Sequence, residues 1–368
     1  MWKEALKFEF DMNILITAPS LNVNKNVSGI SAVVSSIIGS KNGIVYYHLE
    51  VGRTDKDKWG LLSYLNTIFK LFLFPIYILR NRIDVFHQNL PFNNKGLFRE
   101  VLFNFLARIC LVPVVLHIHG GEFLTKKPES KFKLLLINSI FKGSKERIVL
   151  SDVEANLIKS LYGFDAISLP NSIDTEVFVQ EETKLFNEVP KIIFLGRFHE
   201  SKGLIFLTRA FKDLYKKHRF QFVLCGKGEL ERFLVEELKS IMGDDFDFRG
   251  VISGEEKIKA LTNSDFFVLP STYGEGLPIS LLEAMSCGLI PVVTDDASMK
   301  VVVENMCNGI RVEKMSSSDI EEKLAFLFQL PNEEKLRLSN NARRTIKENY
   351  SNEKYLPKLL SIYKHSIL

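Results

Sequence analysis

Short apolar runs alternate along the chain with longer segments whose apolar positions recur every three or four residues. The runs Asn13–Thr17, Ile44–Leu49, Val85–His87, Val114–His119, Arg147–Leu150 and Ala166–Leu169 predict strands. Leu61–Asn81, Gly96–Ile109 and Lys131–Lys142 predict helices between them, and Ser151 with Glu154 three residues on reads as a capping box opening another. A polar stretch follows, Pro170-Asn-Ser-Ile-Asp174, Gln180-Glu-Glu-Thr183 and Asn187-Glu-Val-Pro190, the best linker in the chain. The alternation then restarts. Strands are predicted at Lys191–Gly196, Phe220–Cys225, Phe246–Arg249, Phe266–Leu269 and Ile290–Thr294, and helices at Leu204–Lys217, Leu230–Met242, Glu255–Asn263 and from Pro278. Ser351–Leu368 predicts a terminal helix. Such alternation builds parallel sheets covered by helices, so two doubly wound α/β domains follow, with ligand expected between them at the carboxyl ends of the strands. The expected limits are 1–175, 176–350 and a helix over 351–368.

Composition narrows the class. The 368 residues allow about two domains. With 46% hydrophobic and 25% charged residues the chain is neither disordered nor collagen-like, and a net charge of +4 does not point to nucleic acid. Cys110, Cys225, Cys287 and Cys307 show no C-x-x-C spacing, which argues against a disulfide scaffold or zinc site. The opening Met1–Asp11 mixes charges and lacks the layout of a signal peptide. The longest apolar stretch, Leu61–Leu79, is interrupted by Ser63, Asn66, Thr67, Lys70 and Pro75, which favours a buried or interface-lying helix over a membrane span. Lys56–Arg147 holds 15 basic against 6 acidic residues. A basic N-terminal half with apolar helices suits an anionic lipid surface; a solvated basic face over an ordinary core is the alternative.

The candidate chemistry lies mainly in the second half. Ser271-Thr-Tyr-Gly-Glu-Gly-Leu-Pro-Ile-Ser-Leu-Leu-Glu283 follows a strand, so it sits at a sheet's carboxyl edge. Gly274 and Gly276 permit close backbone approach, and Pro278 suits the first helical position. The N–H groups of Ile279 and Ser280 then open a helix, a natural phosphate site. Glu283 lies roughly 7.5 Å further along at about 1.5 Å per residue, the offset from a nucleotide's phosphates to its ribose. Glu275, in the loop, addresses another group, and Gly288 ends the helix. The alternative is a simple turn with Glu283 solvated. Arg197 and Lys202 flank another strand–helix junction and suit a diphosphate, and Gly226-Lys-Gly228 forms a third turn at the same edge. Asp55-Lys-Asp57 and Asp245-Phe-Asp247 match a D-x-D pattern by letter only and read as surface charge. His117 and His119 share a strand face, but no further ligand completes a metal site.

Glu275-x7-Glu283, Gly196-Arg-Phe-His-Glu-Ser-Lys-Gly203 and Pro170-Asn-Ser-Ile-Asp174 together resemble the retaining glycosyltransferases of family 4, densely from Pro170 to Tyr350 and thinly before it. The resemblance implies the GT-B architecture, two facing Rossmann-like domains with a cleft between them, the first for the acceptor and the second for a nucleotide-sugar, and a C-terminal helix over 351–368 that crosses back to pack on the first domain. It implies that Arg197 and Lys202 hold the donor diphosphate, that Glu283 binds the ribose, and that Glu275 with Gly276, Leu277 and Ile279 positions the sugar. Gly226 and Gly228 belong to the same donor site. Asn26-Val-Ser-Gly-Ile30 resembles the family's glycine loop, with Ser28 in place of its first glycine and Gly29 carried over. His119 resembles the active-site histidine, though Gly120 replaces the usual aspartate; His117 reads as a packed strand residue. Acceptor choice falls to loops such as Trp59, Phe92–Leu97 and Glu122–Lys127.

The expected activity is therefore retaining, metal-independent transfer of a sugar, from a UDP-sugar by preference, to a saccharide or lipid-linked saccharide in surface polysaccharide synthesis. No cofactor is expected beyond the nucleotide-sugar substrate. The location expected is the cytoplasm, with peripheral contact to the anionic inner membrane. The alternatives are a sugar-nucleotide epimerase or phosphorylase on the same scaffold, or a non-catalytic nucleotide-sugar-binding scaffold.

Overall fold

The computed structural model describes residues 12–22, 25–26, 28–40, 43–52, 61–94, 96–178, 184–273, 275–296 and 299–368. Met1–Asp11, Asp55, Asp57, Trp59, Gln180–Thr183 and Gly274 lie outside the described residues. The chain divides into two compact units, Met1–Pro170 with Tyr355–Leu368, and Asn171–Lys354.

The first unit alternates β1 (Met12–Ala18), α1 (Gly29–Gly39), β2 (Ile44–Glu50), α2 (Leu61–Arg80), β3 (Val85–Leu90), α3 (Leu97–Ile109), β4 (Val114–Ile118), α4 (Lys131–Gly143), β5 (Glu146–Val149), α5 (Asp152–Tyr162) and β6 (Ile167–Ser168). Its six strands form one parallel sheet in the order β2-β1-β3-β4-β5-β6. β4 is buried at every position, which explains why it reads as an apolar run rather than as alternation; β3 is buried throughout as well, polar His87, Gln88 and Asn89 included. The predicted cap opens α5: Ser151 Oγ accepts from the Glu154 N–H at 3.2 Å. Glu154 reaches one residue further than the reciprocal box requires and accepts from the Leu150 N–H at 2.7 Å.

The second unit runs α6 (Thr175–Phe178), β7 (Lys191–Arg197), α7 (Leu204–Leu214), β8 (Gln221–Lys227), α8 (Glu231–Met242), β9 (Phe246–Gly250), α9 (Gly254–Thr262), β10 (Phe266–Leu269), α10 (Ile279–Ser286), β11 (Ile290–Thr294), α11 (Met299–Val302), β12 (Ile310–Val312), α12 (Ser317–Gln329) and α13 (Asn332–Asn349). Its parallel sheet has the order β12-β11-β10-β7-β8-β9. A last helix, α14 (Asn352–Ile367), places the fully buried Tyr363 in the first unit. No helix among the described residues is long and apolar enough to cross a membrane.

The stretch expected to be a linker differs in part. Asn171, Ser172 and Ile173 are buried in the second unit: Asn171 Nδ2 donates to the Leu277 carbonyl at 2.8 Å, and Ile173 forms a bridge with Ser351. Asn171 Nδ2, Ser172 Oγ and the Ile173 backbone find partners inside the fold, so polarity here does not mean solvent.

Gly226 shows how tightly the second sheet is built. Its φ is +134°, and a Cβ there would collide with the Gly196 carbonyl oxygen across the β7–β8 pair. Backbone fills the corresponding space at Gly228 as well. Gly226→Ala is expected to destabilise the second unit by about 3 kcal/mol or more, combining positive-φ strain with the clash, read as a lowered midpoint in urea unfolding.

Candidate active site

A doubly wound sheet opens where its strand order reverses, because the loops after the two neighbouring strands leave toward opposite sides. In the second unit the reversal falls between β7 and β10, which are hydrogen-bonded neighbours. Arg197 ends β7, exposed, and Lys202 follows on a short 3₁₀ turn, Glu200–Lys202. After β10 the chain enters the loop that carries Glu275. The two loops are tied together: the Thr272 N–H donates to the Ser201 carbonyl at 2.8 Å, and Lys202 Nζ forms a short ion pair with Glu275 Oε1. Ser271 Oγ donates to the same carboxylate oxygen at 2.6 Å. A cation and a carboxylate, 73 residues apart, thus stand together at the strand ends.

The loop then turns into α10. Pro278 is the N-cap rather than the first helical residue: its ψ of 124° is extended, and helical geometry begins at Ile279. Leu277 is buried, and its carbonyl is held by Asn171, whose Oδ1 is buried with no partner among the described residues. Gly288, with φ +80°, stops the helix: the N–H groups of Gly288 and Leu289 donate to the carbonyls of Met285 and Ala284.

Glu283 is not solvated. It is buried on α10, and its Oε1 accepts from Lys257 Nζ of α9 at 2.6 Å. Lys257 Nζ also lies 5.7 Å from the ring centroid of Phe178 on α6, a cation–π distance. Burial pushes the Glu283 carboxyl up from its ordinary value, and the Lys257 charge and hydrogen bond pull it back. Neither Lys257 nor Phe178 carries a signal in the sequence, since the three side chains meet only through the packing of α6, α9 and α10.

The candidate residues of the first unit gather at its own reversal, between β1 and β3. Gly29 is the exposed first residue of α1, with open space among the described residues where a Cβ would stand. The preceding loop is braced by the buried Asn26, whose amide donates to Ser31 Oγ at 2.9 Å. Nearby, Thr17, Ala18, Asn89, Pro91, Arg99 and others enclose a cavity of about 100 Å³.

His119 follows β4 and shares its 2.6 Å bond with Asn89 Oδ1 of β3. Asn89 Nδ2 donates to the Thr17 carbonyl at 2.6 Å, so its Oδ1 must accept. His119 Nε2 therefore carries the proton, and Nδ1 is left as an acceptor. Asn89 is the residue that sequence reasoning missed here. The rings of His117 and His119 lie 4.0 Å apart, as their shared strand face predicts. His117 is fully buried and contacts His87, which meets Tyr363 Oη at 2.5 Å. Burial brings His87 and His119 down to about 3 and lowers His117 as well, so all three rings are neutral near pH 7. Among the described residues no His, Cys, Asp or Glu group is arranged to hold a metal.

One expectation needs revising. Asp245 is not surface charge: it is buried and accepts from Tyr215 Oη at 2.7 Å and Arg219 Nε at 2.9 Å. Asp247 is paired with Arg249 at 2.7 Å. Glu122, which opens one of the loops expected to govern acceptor choice, is exposed and accepts from the Asn94 backbone N–H at 3.2 Å.

Two stability measurements test these environments. The unfolded chain protonates its histidines below pH 6.5, whereas folded His87 stays neutral to about 3. Stability present above pH 6.5 is therefore lost as the pH falls toward 3, by about 2 kcal/mol at pH 5 from His87 alone. The urea midpoint of the first unit should drop accordingly, with a shallower slope in His87→Gln. Separately, Lys257→Met leaves Glu283 buried without its counter-charge and should cost about 2–4 kcal/mol at pH 7. Adding Glu283→Gln should recover part of the loss, as a double-mutant cycle would read.

With this geometry in place, likeness to known proteins becomes informative. Residues 178–345 match the family of glycosyl transferases group 1. The chain is 27% identical over 276 residues to an uncharacterized glycosyltransferase, MJ1069, of Methanocaldococcus jannaschii, covering 69% of this chain and 68% of that one. It is 27% identical over 287 residues, 72% of each chain, to the Escherichia coli UDP-Gal:alpha-D-GlcNAc-diphosphoundecaprenol alpha-1,3-galactosyltransferase. Among solved structures, Anabaena Alr3699/HepE in complex with UDP and glucose superposes with a TM-score of 0.74 at 14% identity, covering 96% of this chain and 99% of that one. The two six-stranded Rossmann-like domains have the GT-B fold; residues 178–345 are a glycosyl transferases group 1 domain, and the chain is a glycosyltransferase.

Proposed function

We propose that this glycosyltransferase moves a sugar from a UDP-sugar to a lipid-linked saccharide in surface polysaccharide assembly, with retention of configuration and without a metal. The observation that carries the reading is the pair of lysine–glutamate contacts around one loop, Lys202 with Glu275 and Lys257 with Glu283, beside the start of α10. A nucleoside diphosphate-sugar asks for that equipment: cations for the pyrophosphate, helix N–H groups for its oxygens, and a carboxylate that accepts both ribose hydroxyls. The E. coli relative is named for a UDP-sugar donor and a diphosphoundecaprenol-linked acceptor, and this supports the same substrate classes here.

In this scheme Glu283 accepts the ribose hydroxyls, held ionised and in place by Lys257. Arg197 and Lys202 lie along the diphosphate, with Lys202 exchanging part of its contact with Glu275 for a phosphate oxygen. Glu275, Gly276, Leu277 and Ile279 orient the sugar, and the turns at Gly226 and Gly228 shape the same strand edge. By family resemblance Gly29 serves the donor phosphates. His119 serves the sugar, accepting from a hydroxyl through Nδ1.

As the bond from the anomeric carbon to the diphosphate oxygen breaks, negative charge grows on the departing nucleotide. Fixed cations and the α10 N-terminus stabilise that charge without rearranging, which is where the rate gain would arise. The acceptor oxygen attacks from the departing face. Its proton passes to a phosphate oxygen of the leaving group, and configuration is kept.

Glu283→Ala is expected to weaken UDP-sugar binding by about 30-fold or more, the loss of a charged double hydrogen bond, in calorimetry. Lys202→Ala should lower kcat by about 10²-fold with a smaller change in KM. Transfer should persist in excess chelator; complete and metal-restored loss would refute the metal-free scheme. A thermal-shift comparison of UDP-, GDP- and ADP-sugars should rank UDP first.

A further inference from the structure

Helices α2, α3 and α4 form a layer on the first sheet, α2 against α3 and α3 against α4. Their inner sides are packed: Phe74 and Ile78 of α2 with Phe103 and Ala107 of α3, and Ile137, Ile140 and Phe141 of α4, are all buried. The outer side of such a layer ordinarily meets water and is polar. Here it is apolar. Along α2, Ile68, Phe69, Phe72, Ile76 and Leu79 recur every three or four residues and are all exposed, Phe72 by 76%. Phe98, Phe105 and Ile109 continue the face on α3, and Phe132 and Leu135 on α4. Leu111, just after α3, is 91% exposed. Scattered exposed apolar residues are ordinary, but an aromatic-rich stripe shared by three adjoining helices is a mark of an interaction surface.

The charges on the same helices name the partner. Arg80, Arg108, Lys131 and Lys142 are exposed on α2, α3 and α4. The one carboxylate within the three helices, Glu100, is buried and paired with Arg99. An apolar surface whose helices carry exposed basic residues and no exposed acid complements an anionic bilayer, whose headgroups take the cations and whose acyl boundary takes the rings. A second copy of the chain would bring the same cations together around a self-matched patch, at a like-charge cost.

We infer that the outer face of α2, α3 and α4 seats this protein on an anionic lipid surface, with Phe69, Phe72 and Leu79 entering the interface. The inference deepens the reading of a lipid-linked acceptor and rests on it for its purpose. Its test needs neither donor nor acceptor, so the two can fail separately.

The full-length protein is sedimented with phosphatidylcholine vesicles and with vesicles of phosphatidylcholine and phosphatidylglycerol. Binding to the anionic vesicles is expected to be at least tenfold tighter and to weaken with salt. Phe72→Ser with Leu79→Ser should weaken it about tenfold or more with an unchanged melting temperature, because both side chains are exposed. Arg108→Glu with Lys131→Glu should remove the preference for phosphatidylglycerol, while transfer to a water-soluble acceptor stays unchanged in both variants. Failure to sediment with either vesicle overturns the inference, as does binding that neither variant affects. A dimer in ultracentrifugation that Phe72→Ser with Leu79→Ser dissolves, with no vesicle binding, would overturn it in favour of a second copy.

Discussion

The chemistry of the second domain depends on the pairing of β7 with β10. These strands are far apart in the chain but neighbours in the sheet, and the strand order reverses between them. The reversal leaves room between the loops that follow, and there Lys202 and Glu275 stand in contact. The first domain repeats the device between β1 and β3, where Asn89 is bonded to Thr17 and in turn to His119. Each domain therefore builds its candidate residues at the one place where a parallel sheet leaves room.

Burial is used in two opposite ways around these sites. In the second domain, carboxylates are taken from water with a lysine attached, so each enters the interior as part of a pair. In the first, the imidazoles of His87, His117 and His119 are enclosed without a carboxylate partner, and the cost of charging them keeps them neutral. Charged groups held in place suit a site that must meet a diphosphate. A neutral imidazole with an assigned acceptor nitrogen suits recognition of a hydroxyl. The fold supplies both by the depth and the partners at which each side chain is set.

The same logic separates what could be read along the chain from what could not. The strands of the first sheet, five of the six in the second, the start of α5 and the loop from Ser271 to Glu283 were legible because they rest on local rules: apolar runs, capping side chains and glycine turns. Asn171–Ile173 and Asp245 were misread because polarity was taken for exposure. Their hydrogen-bond partners, Leu277, Tyr350, Asn352, Tyr215 and Arg219, lie far along the chain or on other elements. The polar helices α12 and α13 and the short strand β12 also lie beyond the predicted elements. α13 buries only a narrow apolar line, Leu338, Ala342 and Ile346, among many charges.

The sequence alone determined the alternation of strands and helices, the two-domain plan and the residue types at the strand ends, since each follows from periodicity or from a motif a few residues long. Only the tertiary structure decided which of those residues meet. Lys257 and Phe178 against Glu283, Asn89 against His119, and the apolar outer face of α2, α3 and α4 are relations between elements. No window along the chain contains both partners of such a relation, and whether an apolar helix residue faces the core or the solvent is set by what packs beside it.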